Sequence, residues 1–251
     1  MRQPKVLIFD IETAPMVVYV WGRREQNVAL NQIKSDWYVL AWAAKWLGDA
    51  PSKVIYKDQR GAKNPADDKD LLQGMWKLLD EADIVITQNG RRFDSRKLNA
   101  RFIINGMNPP SPYEHWDTLR VARTVADFTS NSLEYLSDKL CVKYKKLSHK
   151  KFPAMELWKQ CLAQNPEAWE CMKKYNIHDV LATEELYLKI RAWSPKTSPV
   201  VFPNRDGCSV CGGQVEYRGY WRLKEYRVKK IHCLKCGAWR SGKKERLQEA
   251  N

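Results

Sequence analysis

Long apolar runs are missing from this 251-residue sequence: the longest, Tyr38 to Ala44, falls far short of the roughly 20 residues a helix needs to cross a bilayer, which excludes a helical membrane protein. The N-terminus passes from Met1-Arg2-Gln3-Pro4 straight into a strand-like segment, leaving no room for a signal-peptide core and cleavage site, so a cytoplasmic location is expected. Acidic residues are scarce too. There are 29 Asp and Glu against 43 Lys and Arg, a formal net charge of +14. That balance suits an anionic polymer as partner better than an acidic small molecule, solubility alone being the plainer explanation. A disulfide framework is also absent. Of seven cysteines, four form two C-x-x-C pairs near the C-terminus, while Cys141, Cys161 and Cys171 are scattered and expected to be buried thiols. With 44% hydrophobic and 29% charged residues, the length allows one good-sized core and a small appendage.

Against this basic background, two carboxylates interrupt the apolar segment Val6-Leu7-Ile8-Phe9-Asp10-Ile11-Glu12-Thr13. On a strand, residues two apart share a face, so Asp10 and Glu12 sit side by side while Phe9 and Ile11 enter the opposite layer. Adjacent carboxylates at the edge of a core repel each other and lose hydration, a cost that cations or strong donors must offset. Taken alone, the pattern also describes one solvated strand face.

Further on, Met16 to Gly22, Trp37 to Leu47 and Lys53 to Lys57 are predicted strands joined as hairpins. From Asp67, Leu71, Leu72, Met75, Leu78 and Leu79 recur at helical spacing, and this helix leads into a short buried strand, Asp83 to Thr87, as a crossover between parallel strands would. In Gln88-Asn89-Gly90-Arg91-Arg92-Phe93-Asp94-Ser95 the glycine marks a turn, and a helix rich in Leu98, Phe102, Ile103 and Ile104 begins near Asp94. A third carboxylate thus stands at a strand-to-helix junction, where open α/β sheets bind ligands, although Asp94 could equally cap its helix. Asp117, in His115-Trp116-Asp117-Thr118, is the rival and ranks second, since an Asp before Thr at a helix start is commonly a cap. Ser132 to Leu140 reads as a short helix. Lys143 to Lys151 carries five lysines and no acid, either a solvated loop or part of a phosphate-binding rim. A long helix starts at Pro166 behind the N-cap Asn165 and runs to about Trp193, with Tyr175 and Asp179 four apart on one face. The plainer reading makes Tyr175 a half-buried core residue and Asp179 part of a polar face. Pro195, Pro199 and Pro203 mark 194–204 as a stiff linker between a domain over 1–193 and a module over 205–251.

Together these stretches resemble the DEDD 3′–5′ exonuclease superfamily, whose ribonuclease-H-like fold includes the proofreading domains of DNA polymerases. Its first motif is matched by Phe9-Asp10-Ile11-Glu12-Thr13, its second by Asn89 with Phe93-Asp94, its third by Tyr175 with Asp179. The tyrosine four before the last Asp resembles the tyrosine subclass and the family B proofreading domain; the histidine subclass needs a histidine where Lys174 stands. The remaining length could not hold a polymerase, so the resemblance is to stand-alone phage and prokaryotic exonucleases related to that domain.

The resemblance implies an α/β fold, a ribonuclease-H-like mixed sheet flanked by helices. It implies two Mg²⁺ or Mn²⁺ held by Asp10, Glu12, Asp94 and Asp179, with Asp10 bridging, and Tyr175 orienting the attacking water. It also implies nucleic-acid contacts at Thr13, Asn89 and Phe93, the last of which could equally be core. Arg91 and Arg92, flanking the second motif, suit phosphate or form a charged loop. The chemistry agrees, because two ions about 4 Å apart stabilise both ends of an in-line phosphodiester displacement. The expected activity is removal of nucleoside 5′-monophosphates from single-stranded or frayed 3′ ends of DNA. A 3′–5′ exoribonuclease is the alternative among enzymes; a non-catalytic nucleic-acid platform recruiting replication or recombination proteins is the alternative outside them.

At the C-terminus, Cys208-Ser209-Val210-Cys211 and Cys233-Leu234-Lys235-Cys236, each followed by glycine, have structural zinc spacing, and the hairpin expected over Gln214 to His232 makes the module resemble a zinc ribbon. A module this small needs the metal for part of its stability. Its excess of Lys and Arg, interleaved with Tyr217, Tyr220, Trp221, Tyr226 and Trp239, favours nucleic acid over a docked replication or recombination protein as its partner.

Overall fold

In the computed structural model, which describes residues 2–24, 27–147, 151–194 and 206–247, the N-terminal strand is the middle of the main sheet. The strands are β1 (Val6–Thr13), β2 (Val17–Val18), β3 (Ile33–Ser35), β4 (Val39–Trp46), β5 (Ile55–Asp58), β6 (Ile84–Thr87), β7 (Glu114–Asp117), β8 (Val215–Arg222), β9 (Tyr226–Cys233) and β10 (Trp239–Arg246). The helices are α1 (Lys69–Glu81), α2 (Asp94–Ile104), α3 (Thr118–Val125), α4 (Leu133–Leu140), α5 (Glu156–Leu162) and α6 (Pro166–Ile190).

The main sheet runs β5-β4-β1-β6-β7. β1 is antiparallel to β4 and parallel to β6, and β6 is parallel to β7, the arrangement that the crossover helix α1 predicts. Strand alternation separates two core layers. Val6 and Ile8 face Val180, Leu186, Tyr187 and Ile190 of α6, whereas Leu7, Phe9 and Ile11 pack with Leu72, Met75 and Leu79 of α1 and Leu98 and Phe102 of α2. Asp10 and Glu12 therefore lie on the α6 side, opposite the small residues Ala43 and Ala41 of β4, which leave room above the carboxylates.

Under the sheet, fully buried Asp68 receives two bonds of 2.8 Å from the Arg101 guanidinium and others from Val39 N and Asn105, tying the entry of α1 to α2 and β4. Asn165 caps α6 through Glu167 N, with Pro166 at the first position.

The structure departs from the sequence reading in several places. Of the strand expected over Met16 to Gly22, only Val17–Val18 pairs, with Ile33–Ser35, and its neighbours stay exposed. Ile103 and Ile104 point to solvent, so α2 buries Leu98 and Phe102 alone of its four apolar candidates. Helix α5 was not anticipated, nor was β10, which makes the C-terminal hairpin a three-stranded sheet, β10-β9-β8. The proline stretch expected as a linker falls in 195–205, outside the described residues, as does 148–150 of the lysine-rich segment.

Candidate active site and metal centre

Three elements converge at the C-terminal end of β1. β1 supplies Asp10 and Glu12, the first residue of α2 supplies Asp94, and the middle of α6 supplies Tyr175 and Asp179. Asp94 is no N-cap: its carboxylate leaves the helix and accepts from Ile11 N at 3.1 Å, between the two β1 carboxylates. Asp117, the rival, is spent on structure. It accepts from Leu119 N and Arg120 N as the cap of α3 and from Asn89 N and Arg91 N in the turn after β6. That turn is tight. Asn89 has φ of 65°, and a methyl on Gly90 would lie 2.5 Å from Thr87 Cβ, so glycine is required there.

Burial and mutual repulsion dominate the electrostatics. Asp94 and Asp179 are both 3% exposed. Asp10 is pushed well above its ordinary value by burial, then by the charges of Asp94, Glu12 and Asp179. Glu12 rises to about 8 through burial and Asp179, and Asp94 to about 7 through burial, despite the Ile11 N–H. Carboxyls that raise one another in this way form a cluster short of positive charge.

Three further side chains belong to this site. Lys146 places Nζ 2.6 Å from Asp179 Oδ2 and 4.5 Å from the Tyr175 ring centre. Although burial pulls its ammonium down, Asp179 and Tyr175 outweigh that and hold it above the ordinary lysine value. Asn176 donates from Nδ2 to Asp10 Oδ2 at 2.6 Å, while its buried Oδ1 has no partner among the described residues. Trp158, on α5, donates to Glu12 and meets the Tyr175 ring edge to face at 6.3 Å. Tyr175 itself is 8% exposed, and burial followed by the Asp179 charge drives its phenol up to about 12.

Of the five lysines in Lys143 to Lys151, only the structure singles out Lys146, because the segment's charge is uniform. Asn176 sits inside the third motif, and its polarity next to Tyr175 was the available signal. Trp158 lies on the unanticipated helix and had none. Of the proposed nucleic-acid contacts, Arg92 and Phe93 are exposed at the rim. Arg91 turns one nitrogen back onto His115 O at 2.8 Å, Asn89 is half-buried in the turn, and Thr13 ends β1 at a bulge against β4.

The carboxylate set fits hard divalent cations. Its donors are oxygens, one buried amide oxygen lacks a partner among the described residues, and the negative charge exceeds what Lys146 neutralises. Among the described residues only Cys208, Cys211, Cys233 and Cys236 bring their ligand atoms all within 4.8 Å of one another. No three of the site carboxylates meet that spacing. The cysteine pairs are 3.8 Å (Cys208–Cys236) and 3.5 Å (Cys211–Cys233) apart, and zinc at about 2.3 Å from each sulfur in a tetrahedron needs about 3.8 Å. Burial pulls the Cys233 thiol up, while the backbone N–H groups of Cys236 and Lys235 and the Cys211 and Cys236 side chains bring it down to about 7.

A family model described as the RNase H superfamily matches residues 38–191. The match begins after β1 and so does not cover Asp10 and Glu12. Among solved structures, the family B DNA polymerase from the hyperthermophilic archaeon Pyrobaculum calidifontis superposes with a TM-score of 0.52 at 16% identity, covering 79% of this chain and 26% of the polymerase chain. At that identity the likeness speaks for the fold alone, and this chain spans about a quarter of the polymerase it matches. No curated protein matches the chain. The mixed sheet flanked by helices and the matched family agree with the α/β, ribonuclease-H-like expectation.

Proposed function

The chain belongs to the RNase H superfamily, and from that premise we propose that it is a metal-dependent 3′–5′ exonuclease that hydrolyses DNA to nucleoside 5′-monophosphates. The observation that carries the reading is the convergence of four carboxylates from β1, α2 and α6 in a chain of net charge +14, where burial and neighbouring carboxylates raise the proton affinity of Asp10, Glu12 and Asp94. A mere binding platform for a polyanion gains nothing from concentrated negative charge. The 3′–5′ direction rests on the order of motifs shared with the DEDD exonucleases.

In this reading Asp10, Glu12, Asp94 and Asp179 would hold two Mg²⁺ or Mn²⁺, and the cysteines would hold one structural Zn²⁺. The divalent ions would supply acidification of a water and stabilisation of the departing oxygen. Asn176 fixes the Asp10 carboxylate by its 2.6 Å bond, and Trp158 does the same for Glu12. With its phenol pushed up to about 12, Tyr175 keeps its proton at neutral pH, so it orients the attacking water through a hydrogen bond and takes no proton from it. Lys146 neutralises Asp179 and presents an ammonium to the phosphate side of the site. Arg92 and Phe93, exposed at the start of α2, meet the terminal nucleotides.

The test is a time course on single-stranded DNA and RNA labelled at either end, with Mg²⁺, with Mn²⁺ and with neither. Stepwise shortening of 5′-labelled DNA together with immediate mononucleotide release from the 3′ label supports the reading. Equal or faster trimming of RNA would make it an exoribonuclease, and no cleavage of either polymer under any metal would refute it.

A further inference from the structure

The C-terminal sheet keeps little to itself: β8 is exposed along most of its length, and β10 is exposed or half-buried throughout. Facing residues on antiparallel strands point to the same side, as do alternate residues along a strand. Trp239 pairs with His232 and Ser241 with Lys230, so Trp239, His232 and Lys230 share one face. The Trp239 and His232 rings lie 4.5 Å apart at 31°, and Lys230 Nζ reaches to 5.7 Å from the Trp221 ring centre. The result is a stripe of alternating aromatic and basic groups. At its Trp239 end lies a cavity of about 390 Å³ lined by Ala192, Trp193, Cys236, Gly237 and Trp239, with Trp193 74% and Trp239 40% exposed. A slot walled by two tryptophans at this size takes a planar ring system.

Charge selects the occupant. Glu216 is engaged by Arg218 and His232, and Glu245 by Arg227 and Lys229. That leaves Lys230, Lys244 and Arg246, which pairing puts on the His232 face, without an acidic partner among the described residues. Unneutralised cations interleaved with exposed rings are the features that hold unpaired nucleic acid, by phosphate contact and base stacking together.

We infer that this face is a second nucleic-acid site, specific for single strands, in which Trp193 and Trp239 clasp one base and Trp221 stacks another. It is remote from the carboxylates. The module abuts the N-terminal end of β1, where a neighbouring cavity is lined by Lys5 and Val6 together with Cys211 and Lys235, while Asp10 and Glu12 lie at the other end of that strand. Asp10 and Glu12 are four and six residues along the strand from Val6, roughly 13 and 20 Å at about 3.3 Å per residue. A short strand occupies one place or the other, whereas a strand long enough to touch both gains from the two together, so the pair of sites favours long single strands. The inference stands whether or not the carboxylates cut.

The experiment is fluorescence anisotropy with zinc-loaded full-length Asp10→Asn protein and labelled oligothymidylates of 4 and 20 nucleotides, beside a 20-base-pair duplex. Adding Trp193→Ala and Trp221→Ala is expected to weaken 20-mer binding at least about 10-fold and 4-mer binding by clearly less. Trp193 lies outside the module, so Trp193→Ala alone, expected to cost about 5-fold, reads the site even if the Trp221 change disturbs the sheet. Trp193→Phe should restore most of the affinity, which a purely structural role would not produce. Lys230→Ala with Lys244→Ala should flatten the salt dependence by about 1.4 in log–log slope. Unchanged 20-mer affinity in all of these variants, with zinc content intact, overturns the inference and makes the face a protein-docking surface. Equal binding of duplex overturns its specificity. If the otherwise wild-type protein cuts no polymer while the binding pattern holds, the nuclease reading fails and this one stands.

Discussion

Replacing Glu12 by Gln should make the protein more stable as it makes it inactive, and the gain should depend on pH. Burial and Asp179 raise the Glu12 carboxyl from 4.5 to about 8. Between those values the folded protein holds a proton that the unfolded chain has released. Stability is therefore lost as pH rises through the window, at about 1.4 kcal/mol per pH unit for a single group. At pH 7 the gap between ambient pH and the unfolded value is about 2.5 units, an upper figure of roughly 3 kcal/mol. Asp10 and Asp94 share the same repulsion and readjust when one charge disappears, so we expect about 1–3 kcal/mol, or roughly 3–10 °C in Tm for a chain of this size. Gln keeps an oxygen for the Trp158 donor, so packing is preserved. The assay is thermal unfolding of zinc-loaded protein in magnesium-free buffer at pH 5 and pH 8. Glu12→Gln should lead the wild type clearly at pH 8 and by much less at pH 5, and millimolar Mg²⁺ should narrow the lead by stabilising the wild type. An equal lead at both pH values, or none at pH 8, refutes the reasoning.

Other expectations follow from the same contacts. Tyr175→Phe should keep measurable cleavage while Asp179→Ala loses nearly all of it, in steady-state assays on labelled oligonucleotide; equal activities would remove the distinction between orienting and ligating roles. Asn176→Ala frees the Asp10 carboxylate and should weaken Mn²⁺ binding about 10-fold or more by calorimetry, with little change in Tm. Arg101→Ala strands the buried Asp68 charge and should cost about 3–5 kcal/mol in urea unfolding without touching the carboxylate site. Cys233→Ala should abolish a zinc stoichiometry of one per chain, and hydrogen exchange should rise across 206–247 while β1 and α6 stay protected.

What the sequence made legible was whatever a strict period or fixed spacing encodes. The alternation in Val6–Thr13 separated the carboxylates from Phe9 and Ile11, and the four-residue step from Tyr175 to Asp179 put both on one helix face. Features set by tertiary contact were not legible. Lys146 looks like its neighbours until Asp179 selects it. Trp239–Arg246 has no apolar alternation and is a strand because β9 offers it an edge. Ile103 and Ile104 continue an apolar pattern, yet the helix turns them away from the core that Leu98 and Phe102 enter. Asp94 and Asp117 present the same local signal, and only the direction of their bonds tells the ligand candidate from the cap.

The central place of β1 also sets a timetable for synthesis. Val6–Ile8 pairs with Ile84–Ile86, about 78 residues later, so at roughly 5–20 residues per second one edge of the first strand waits about 4–16 s for its neighbour. An apolar strand with an open edge invites pairing with other chains, and inward-pointing charge is a recognised safeguard against it. During that interval Asp10 and Glu12 are solvated, ionised and set into an otherwise apolar strand. The two carboxylates whose burial is costly in the finished fold are, before the sheet closes, the kind of charge that opposes such pairing.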